Sequence, residues 1–526
     1  MDWETIKDCR RKLGREEGPI CKNWGGRIHI ALVYPNYYSL GMSNLGFQAI
    51  YGLLNGFNNV VCERVFCEGH EPISLESQRP LSDFDILAFS ISYEYDYFNS
   101  IFVLKSSGIP IAAVDRDYHH PLILAGGAAV TANPEPLSSI FDCLALGEGE
   151  VILPGVIRVL SENIELSREE QLRELQLVPG IYIPTLFNNP VPRQFAANID
   201  SFSTGSVVLT RETEFADLYL MEIGRGCARG CRFCLAGYHF RPMRYRSVER
   251  LLEQAMHGLQ YRDRLGLVSA AVSDHPRIEE LVTGLRKMDA KFSVSSLRIK
   301  PLPDILLQGL VESGTGTVSL APEAGSERLR QFVSKGISED DILSAVDKVA
   351  RHGLKQLKLY FMIGLPSETD EDIVDIVNLA VATKSVFGKH RSNARLVLNV
   401  TPFVPKAGTP FQWLPMATAD VLKRRLGLLK RSLSHKGFEV KADSIEWSLI
   451  QGMLSRGDSR LGQAISSMPR ISISAWRKAM DKAGIDLESI HREIPFEEQL
   501  PWSKLDSADG IKQLRSEMER AFPNGY

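Results

Sequence analysis

The sequence predicts an α/β protein built from a doubly wound parallel sheet, a partial (β/α)6 barrel and a small helical region. Two observations lead to this fold class. Short apolar runs alternate with amphipathic helical stretches in two separate series, a pattern typical of parallel sheets with helical crossovers. The chain also has 526 residues, more than the ~250–300 at which a single hydrophobic core stops growing. We expect a lead-in and four further segments: 1–24, 25–160, 161–215, 216–415 and 416–526.

The composition is that of an ordinary globular protein. Hydrophobic residues make up 44% of the chain and charged residues 24%, and the net charge is −3, which gives no general case for a polyanionic partner. No apolar run is long enough for a membrane span, and residues 1–15 lack the apolar core of a secretory signal. We therefore expect a cytoplasmic protein without a disulfide scaffold, since eight cysteines are sparse in a chain of this length.

The first series of elements predicts the doubly wound sheet. Its helices are expected at 44–54 and 97–107, and its strands at 27–35, 60–66, 86–92, 109–114, 122–125 and 143–146. Ligands of such sheets bind beyond the carboxyl ends of the strands, where three glycine-containing loops occur: 36–41, 126–127 and 147–150. Glycines there either make tight turns or let a ligand approach the backbone closely. The three loops together favour a ligand cleft.

The second series predicts the barrel. A charged helix at 167–177 and several prolines, which break regular elements, separate it from the sheet. Six strands are expected at 218–223, 267–272, 292–297, 317–320, 356–363 and 395–400, with helices at 247–260, 277–288, 304–312, 339–352 and 371–384. Active sites of parallel barrels lie at the carboxyl ends of the strands. Beyond residue 415 the sequence predicts helices, notably at 421–435, 476–483 and 510–521. It has no motif there that indicates a chemical function.

Three cysteines directly follow the first barrel strand. Cys227, Cys231 and Cys234 have the spacing C-x3-C-x2-C, which lets a short loop place three thiolates on one metal centre. Iron–sulfur clusters are normally held by four thiolates, so three would leave one iron position open to a small ligand. Zinc is the alternative, with His239 as a fourth ligand. The other cysteines are expected to be ordinary thiols.

The triplet, with Phe233 before its last cysteine, resembles the radical S-adenosylmethionine (SAM) superfamily. The resemblance implies a TIM-like radical SAM barrel in which Cys227, Cys231 and Cys234 hold a [4Fe-4S] cluster. The open iron would bind SAM, and one electron would cleave SAM to a 5′-deoxyadenosyl radical. Phe233 matches the residue whose backbone meets the adenine. An external one-electron reductant of the flavodoxin or ferredoxin type is implied as a partner.

Further segments resemble those that line the SAM site of this superfamily. Arg298 would meet the carboxylate, Glu323 a ribose hydroxyl or the amino group, and the loop with Gly364 and Pro366 the adenosine. One departure concerns the second strand, where the superfamily's Gly-Gly-Glu is absent. Ser273 and Asp274 stand in its place, so they are the candidates for the amino-group contact.

A doubly wound, Rossmann-like domain ahead of such a barrel resembles the cobalamin-binding subclass. Where the wider cobalamin-binding family has Asp-x-His-x-x-Gly, this chain reads Asn36-x-Tyr38-x-x-Gly41, without the cobalt-ligating histidine. Asp117 to His120 imitate that motif but precede a later strand, so we reject them as the cobalt site. The resemblance implies bound cobalamin, with contacts from these residues: Tyr38, Gly41, Gly126, Gly127, Gly147, Glu148 and Gly149.

Together these features predict an enzyme that cleaves SAM reductively and methylates an unactivated carbon with cobalamin. Rearrangement without cobalamin is an alternative, as is methylthiolation, because residues 399–411 resemble methylthiotransferases. A non-catalytic iron–sulfur or zinc protein that binds nucleic acid is a third possibility. It would use the arginines around the triplet, whose plainer role is to balance the cluster charge and meet carboxylates: Arg225, Arg229, Arg232, Arg241, Arg244, Arg246 and Arg250. The sequence indicates neither the substrate nor a catalytic side chain.

Overall fold

The structure is a computed structural model that describes residues 3–163, 165–186, 190–215, 217–391, 393–505 and 508–522. The strands are β1 (Ile28–Tyr34), β2 (Val60–Phe66), β3 (Ile86–Ser90), β4 (Leu122–Gly126), β5 (Cys143–Ala145), β6 (Ile181–Tyr182), β7 (Tyr219–Glu222), β8 (Gly224–Arg225), β9 (Arg244–Tyr245), β10 (Arg264–Val268), β11 (Lys291–Val294), β12 (Thr317–Glu323), β13 (Gln356–Ile363), β14 (Arg395–Pro402) and β15 (Phe438–Ala442).

The helices include several that the sequence did not predict, such as α2 and α11. They are α1 (Trp3–Leu13), α2 (Tyr38–Ser43), α3 (Leu45–Gly56), α4 (Asp96–Ser106), α5 (Ala128–Ala132), α6 (Gly149–Glu162), α7 (Arg168–Gln176), α8 (Val248–Gly258), α9 (Ile278–Lys287), α10 (Asp304–Glu312), α11 (Glu327–Phe332), α12 (Glu339–Arg351), α13 (Asp370–Lys389), α14 (Ala419–Ser434), α15 (Ile445–Arg456), α16 (Arg460–Ser466), α17 (Ile473–Lys482) and α18 (Ala508–Glu519). Within the described ranges, none of these is both long and apolar enough to cross a membrane.

The chain forms two compact units. The sheet unit comprises Met1–Asp217, Leu454–Leu487 and Gln499–Ile511, and the barrel unit comprises Leu218–Met453, Glu488–Glu498 and Lys512–Tyr526. The segment after residue 415, which the sequence suggested as one helical region, thus contributes residues to each unit.

The sheet unit contains the predicted doubly wound sheet. Its strand order is β2-β1-β3-β4-β5-β6, parallel throughout except for the antiparallel pair of β5 and β6. This order reverses direction between β1 and β3, and ligands of doubly wound sheets bind beyond the carboxyl ends of the strands at such a switch point. The predicted strand at 109–114 does not form, because β3 pairs directly with β4 and leaves no place for a strand between them.

A buried ion network holds the N-terminal segment against the edge strand β2. The guanidinium of Arg64 donates to Glu16 Oε2 at 2.6 Å and to Glu76 Oε1 at 2.7 Å. All three side chains are at most 2% exposed, and Tyr38 also donates to Glu16, at 2.7 Å. Buried carboxylates are tolerated only when they are paired and hydrogen-bonded. The network is therefore a stability determinant of the sheet unit.

Replacing Arg64 with methionine should lower the free energy of unfolding by about 3–5 kcal/mol, because two buried carboxylates lose their cation. Urea unfolding followed by circular dichroism measures this change. Arg173 is the matched control, since its pair with Glu169 is 63% and 70% exposed, and Arg173→Met should change stability by no more than about 0.5 kcal/mol. Equal effects of the two substitutions would contradict the assignment.

The barrel unit contains a strand near each of the six predicted places, in two parallel sheets of order β11-β10-β7 and β12-β13-β14-β15. The second one, β10, begins three residues and ends four residues before the predicted 267–272. The strand β15 lies in a segment for which the sequence predicts helices. It is short, ends in half-buried and exposed residues, and gains its structure from pairing with β14. The α/β class with a doubly wound sheet and a partial barrel is confirmed.

The two faces of β13 and β14 differ in polarity. Leu357, Leu359 and Phe361 on one face are buried. On the other face Lys358 and Tyr360 are partly exposed, and Asn399 of β14 lies in register with Tyr360. Because side chains alternate across a strand, these three polar residues share one face of the sheet.

Candidate active site

The cysteine triplet lies on a loop that is closed at its base. Gly224–Arg225 pairs antiparallel with Arg244–Tyr245, so residues 226–243 leave and return at one place beyond β7. Gly226 has a φ of 87°, and a Cβ on it would lie 2.1 Å from the carbonyl oxygen of Phe240. Only glycine satisfies both conditions. The base of the loop thus depends on Gly226, the residue before Cys227.

Arg232 anchors the middle of the loop. Its backbone N–H donates to Val333 O at 3.1 Å. Its guanidinium donates to Phe332 O at 2.7 Å and to Glu517 Oε1 at 3.0 Å. These bonds hold the backbone between Cys231 and Phe233 in place.

Backbone donors surround the sulfur atoms. The N–H of Arg229 donates to Cys227 Sγ at 3.4 Å. Burial raises the pKa of Cys234, and hydrogen bonds from the N–H groups of Ala236 and Gly237 oppose that rise. Burial also raises the pKa of Cys231, while Lys335 opposes that rise. Hydrogen bonds to the sulfurs are among the features that set the reduction potential of an iron–sulfur cluster. The donor set of this loop therefore fits such a cluster.

The zinc alternative requires His239 as a ligand. Its Nε2–H donates to Ala407 O at 2.9 Å, which ties that nitrogen to the backbone. In the part of the chain that the structure describes, no group of three or more His, Cys, Asp and Glu side chains, the triplet included, is already arranged to hold a metal ion. This finding applies equally to zinc and to an iron–sulfur cluster.

Asp274 joins the cysteine loop to the second and third barrel strands. Its carboxylate accepts two hydrogen bonds from Arg229, both of 3.1 Å, and it lies 3.9 Å from Nε of Arg298. The neighbouring Ser273 is 2% exposed, and its Oγ accepts the backbone N–H of Arg298 at 3.0 Å. Ser273 and Asp274 therefore position Arg298 beside the loop.

Glu323 lies at the end of β12, after a break in the register with β13. Its φ is 71°, an uncommon value for a residue other than glycine that often marks a functional site. Its carboxylate pairs with Lys335 at 2.8 Å. Sequence reasoning missed Lys335, since nothing in the local pattern after α11 distinguishes it. The charges of Lys335, Arg298 and Glu323 all act on the thiol of Cys231.

The loop with Gly364 and Pro366 follows β13 and is held by Glu368. The N–H of Gly364 donates to Glu368 Oε2 at 2.6 Å, and Arg425 of α14 donates to the same oxygen at 2.7 Å. Burial raises the pKa of Glu368 to about 7. The structure places this loop at the carboxyl end of the strand next to β12, which ends at Glu323.

The face with Lys358, Tyr360 and Asn399 was also missed from the sequence. The alternation of polar and apolar residues in 356–363 could have revealed it, because Lys358 and Tyr360 stand between buried residues. In the described ranges, no hydrogen bond or ion pair involves these three side chains. They are available to bind a substrate.

The arginines around the triplet mostly contact groups within the barrel unit. Arg225 and Arg246 bind Glu222 at 2.8 Å each, and Arg229 binds Asp274. The others contact groups nearby: Arg232 with Glu517, Arg241 with the Tyr238 ring, Arg244 with Pro242 O and Arg250 with Glu253. These contacts agree with the plainer role that the sequence suggested.

The switch point of the sheet unit presents aromatic and small residues. Tyr37 follows β1 and is 61% exposed, and Tyr93 follows β3 and is 45% exposed. Gly126 and Gly127, at the end of β4, are partly exposed. A broad apolar group could therefore approach the backbone at β4 and contact the two tyrosines.

The structure gives the predicted glycines a packing role. A Cβ on Gly127 would lie 2.3 Å from Ile91 O, and one on Gly147 would lie 2.1 Å from Gln194 O. Gly41 and Gly149 are likewise packed against Phe66 and Ile50. The need for glycine at these positions follows from the chain's own contacts.

Two predicted cobalamin contacts are turned away from the rim. Tyr38 is 2% exposed, and its hydroxyl donates to Glu16. Glu148 is 6% exposed and accepts the N–H of Ala196 at 2.9 Å. The hydroxyl of Tyr38 and the carboxylate of Glu148 therefore bind groups inside the sheet unit, and the cobalamin contacts of both residues stay a prediction. Tyr37 is the exposed residue of that loop.

Known protein families match both units. A family model described as radical SAM proteins, N-terminal, matches residues 46–184, and the radical SAM superfamily model matches residues 221–380. The uncharacterised protein MJ0966 of Methanocaldococcus jannaschii is 31% identical over 458 residues, which cover 86% of this chain and 94% of that protein. The chain belongs to the radical SAM superfamily. It is therefore an enzyme, and its radical SAM domain implies a [4Fe-4S] cluster and SAM, as predicted.

More distant relatives carry two different names. An uncharacterised methyltransferase of Pyrococcus horikoshii is 26% identical and covers 49% of this chain and 57% of that protein. A tRNA-2-methylthio-N(6)-dimethylallyladenosine synthase of a Marinomonas species is 22% identical and covers 69% of this chain and 79% of that protein.

A solved structure of the cobalamin-dependent SAM radical enzyme OxsB with aqua-cobalamin bound has a similar fold. Its TM-score is 0.54 at 13% identity, and the match covers 94% of this chain and 79% of that one. This structural similarity shows that the present chain has the predicted fold class.

The stability of the barrel unit should depend on the ionisation of Glu368. Its pKa is about 7 in the folded state against 4.5 in the unfolded state. The protonated carboxyl group therefore stabilises the folded state. This contribution to the free energy of unfolding is largest below pH 4.5 and is lost as the pH rises to 7. The side chain of the Glu368→Gln variant does not ionise. Between pH 4.5 and 7, the free energy of unfolding of the wild type should therefore fall by at most about 3 kcal/mol relative to that of the variant.

Urea unfolding at several pH values measures this difference. Glu371→Gln, at an exposed position of α13, is the matched control and should follow the wild type at every pH. A constant difference between wild type and Glu368→Gln from pH 4.5 to 7 would contradict the raised pKa.

Proposed function

We propose that this radical SAM enzyme transfers a methyl group to an unactivated carbon with the help of cobalamin. The observation that carries the proposal is a doubly wound sheet, encoded ahead of the barrel, that presents Tyr37 and Tyr93 at its switch point. Ligands of such sheets bind there. The name of the Pyrococcus relative and the cobalamin in the OxsB structure support the same reading.

The barrel unit supplies the groups for the cluster and for SAM. Cys227, Cys231 and Cys234 are the proposed cluster ligands. Arg298 is proposed to bind the SAM carboxylate, and the pair of Glu323 and Lys335 is proposed to bind other polar groups of SAM. Ser273 acts through Arg298, whose backbone it holds. When bound, the cluster and SAM supply one-electron bond cleavage, and cobalamin supplies a transferable methyl group.

The substrate is proposed to lie on the polar face of β13 and β14. Lys358, Tyr360 and Asn399 point from that face and have no described partner, so they would bind and orient the substrate. An active site at the carboxyl ends of the strands is the rule for parallel barrels. An external one-electron reductant is required, and we expect a flavodoxin or ferredoxin type.

The sheet unit fits cobalamin without a histidine ligand. Tyr37 and Tyr93 offer aromatic surface at the switch point, and Gly126 and Gly127 beside it are partly exposed. Tyrosine rings hold flat apolar groups well, since they are large and have few rotatable bonds.

Methylthiolation is the second candidate. It is favoured by the Marinomonas relative, which is a methylthio-forming enzyme by name, and by the likeness of residues 399–411 to that class. A non-catalytic nucleic-acid-binding role has less support, because most of the arginines around the triplet have partners within the barrel unit.

Loss of a triplet cysteine should abolish both the cluster and SAM cleavage. After anaerobic reconstitution, the Cys231→Ala variant should hold at least about a hundredfold less iron–sulfur cluster than the wild type. With dithionite and SAM it should form no 5′-deoxyadenosine above background. Iron and sulfide analysis, electron paramagnetic resonance and chromatography of the product measure these outcomes.

Cys21→Ala is the control, because Cys21 is an exposed free thiol outside the triplet, and it should behave as the wild type. Stoichiometric zinc without a reducible cluster in the wild type would reject the proposed ligand set. A cluster that forms normally in Cys231→Ala would reject it as well.

The wild type should bind hydroxocobalamin and keep the corrinoid absorbance through gel filtration. The double variant Tyr37→Ala/Tyr93→Ala should bind it about tenfold more weakly, through loss of aromatic contact. Tyr118→Ala is the control, since Tyr118 is 79% exposed but precedes β4. No binding by the wild type would reject cobalamin and leave the radical SAM assignment intact.

A further inference from the structure

The sheet unit contains a cavity that the proposed function does not use. It has a volume of about 220 Å³ and lies where the chain passes from α16 to α17. Ser467 and Arg470 line it from the connection, and Ser474, Lys478 and Lys482 line it from α17. It opens to the surface, since all five of these residues are exposed. The lining thus combines three cations and two hydroxyl groups with four apolar residues: Met468, Pro469, Ala475 and Ala479.

In the described ranges, no carboxylate forms an ion pair with Arg470, Lys478 or Lys482. Residues 467–484 contain four basic residues and a single acidic residue, Asp481. Lys478 and Lys482 are four residues apart on one helix, a spacing at which like charges repel. An anion in the cavity would remove this repulsion.

The helix itself directs the polar groups to one side. Ser474, Lys478 and Lys482 follow one another at intervals of four residues, so they share a face of α17. Near the start of α17, the hydroxyl of Ser472 accepts the N–H of Ala475 at 3.2 Å. Arg470 reaches the cavity from outside the helix, so the charges come from two segments.

Both segments are firmly held. Trp476 is 2% exposed and packs edge-on against Phe98 of α4, with ring centroids 5.9 Å apart. Lys105 of α4 donates to Ser466 O at 2.5 Å and to Met468 O at 3.4 Å. The exposed cations are therefore presented by a rigid support, which reduces the entropy lost on binding.

We infer that this cavity binds a compact phosphate group, the terminal phosphate or diphosphate of a small molecule. The three positive charges exceed the single negative charge of a carboxylate and match the charge of a diphosphate. A guanidinium binds phosphate oxygens in a fork, and lysines bind them as point charges. The volume is below the roughly 300–1,000 Å³ of pockets that enclose whole ligands. The cavity therefore takes the charged end of the molecule.

Titration calorimetry of the full-length protein with inorganic pyrophosphate tests the inference. The wild type should bind, and Arg470→Gln and Lys478→Gln should each weaken binding about tenfold, through loss of a charge-assisted hydrogen bond. Arg477→Gln removes the same charge from an exposed position of α17 that does not line the cavity, and it should change affinity less than twofold. Equal thermal unfolding midpoints would show that the variants fold.

Absence of pyrophosphate binding by the wild type would overturn the inference. Equal losses in all three variants would overturn it too, because they would indicate only general charge attraction. A fluorescein-labelled single-stranded RNA, followed by anisotropy, is the second probe. Variant-sensitive RNA binding without pyrophosphate binding would show an extended polyanion surface in place of a compact phosphate site.

Discussion

Parallel pairing of strands is the constraint on which both units depend. A parallel pair needs a crossover, usually a helix, between its strands, so every strand of such a sheet ends at the same edge. In the barrel unit this brings the cysteine loop after β7, Asp274 after β10 and Arg298 after β11 to one end. Glu323 ends β12 of the second sheet, and its charge acts on the thiol of Cys231. Residues up to about a hundred positions apart thereby share a site.

Ion pairs then fix the positions of the side chains in that site. Asp274 receives Arg229 from the cysteine loop and lies beside Arg298, while Lys335 neutralises Glu323. Each contact joins two different loops, so the loops hold one another in place. Side chains held by such pairs keep the geometry of a site defined.

The sheet unit shows how a glycine pattern can have two explanations. Gly127 and Gly147 follow strands, as ligand-binding glycines do, yet the backbones of Ile91 and Gln194 already exclude a side chain there. The surface open to a cofactor is instead made by residues that the motif did not include, above all Tyr37 and Tyr93. The case for cobalamin therefore depends on the strand order and on this surface more than on the glycines.

The sequence by itself determined the α/β class, most strand positions and the place of the triplet, because periodicity and spacing are local properties of a chain. The predicted superfamily, the cluster and SAM follow from the same local motifs. Only the tertiary structure decided that Tyr38 is buried, that 109–114 forms no strand and that β15 extends the barrel sheet. It also decided that Lys335 meets Glu323 and that Lys358, Tyr360 and Asn399 share a face. Each of these outcomes depends on contacts between segments far apart in the chain, which no local pattern records.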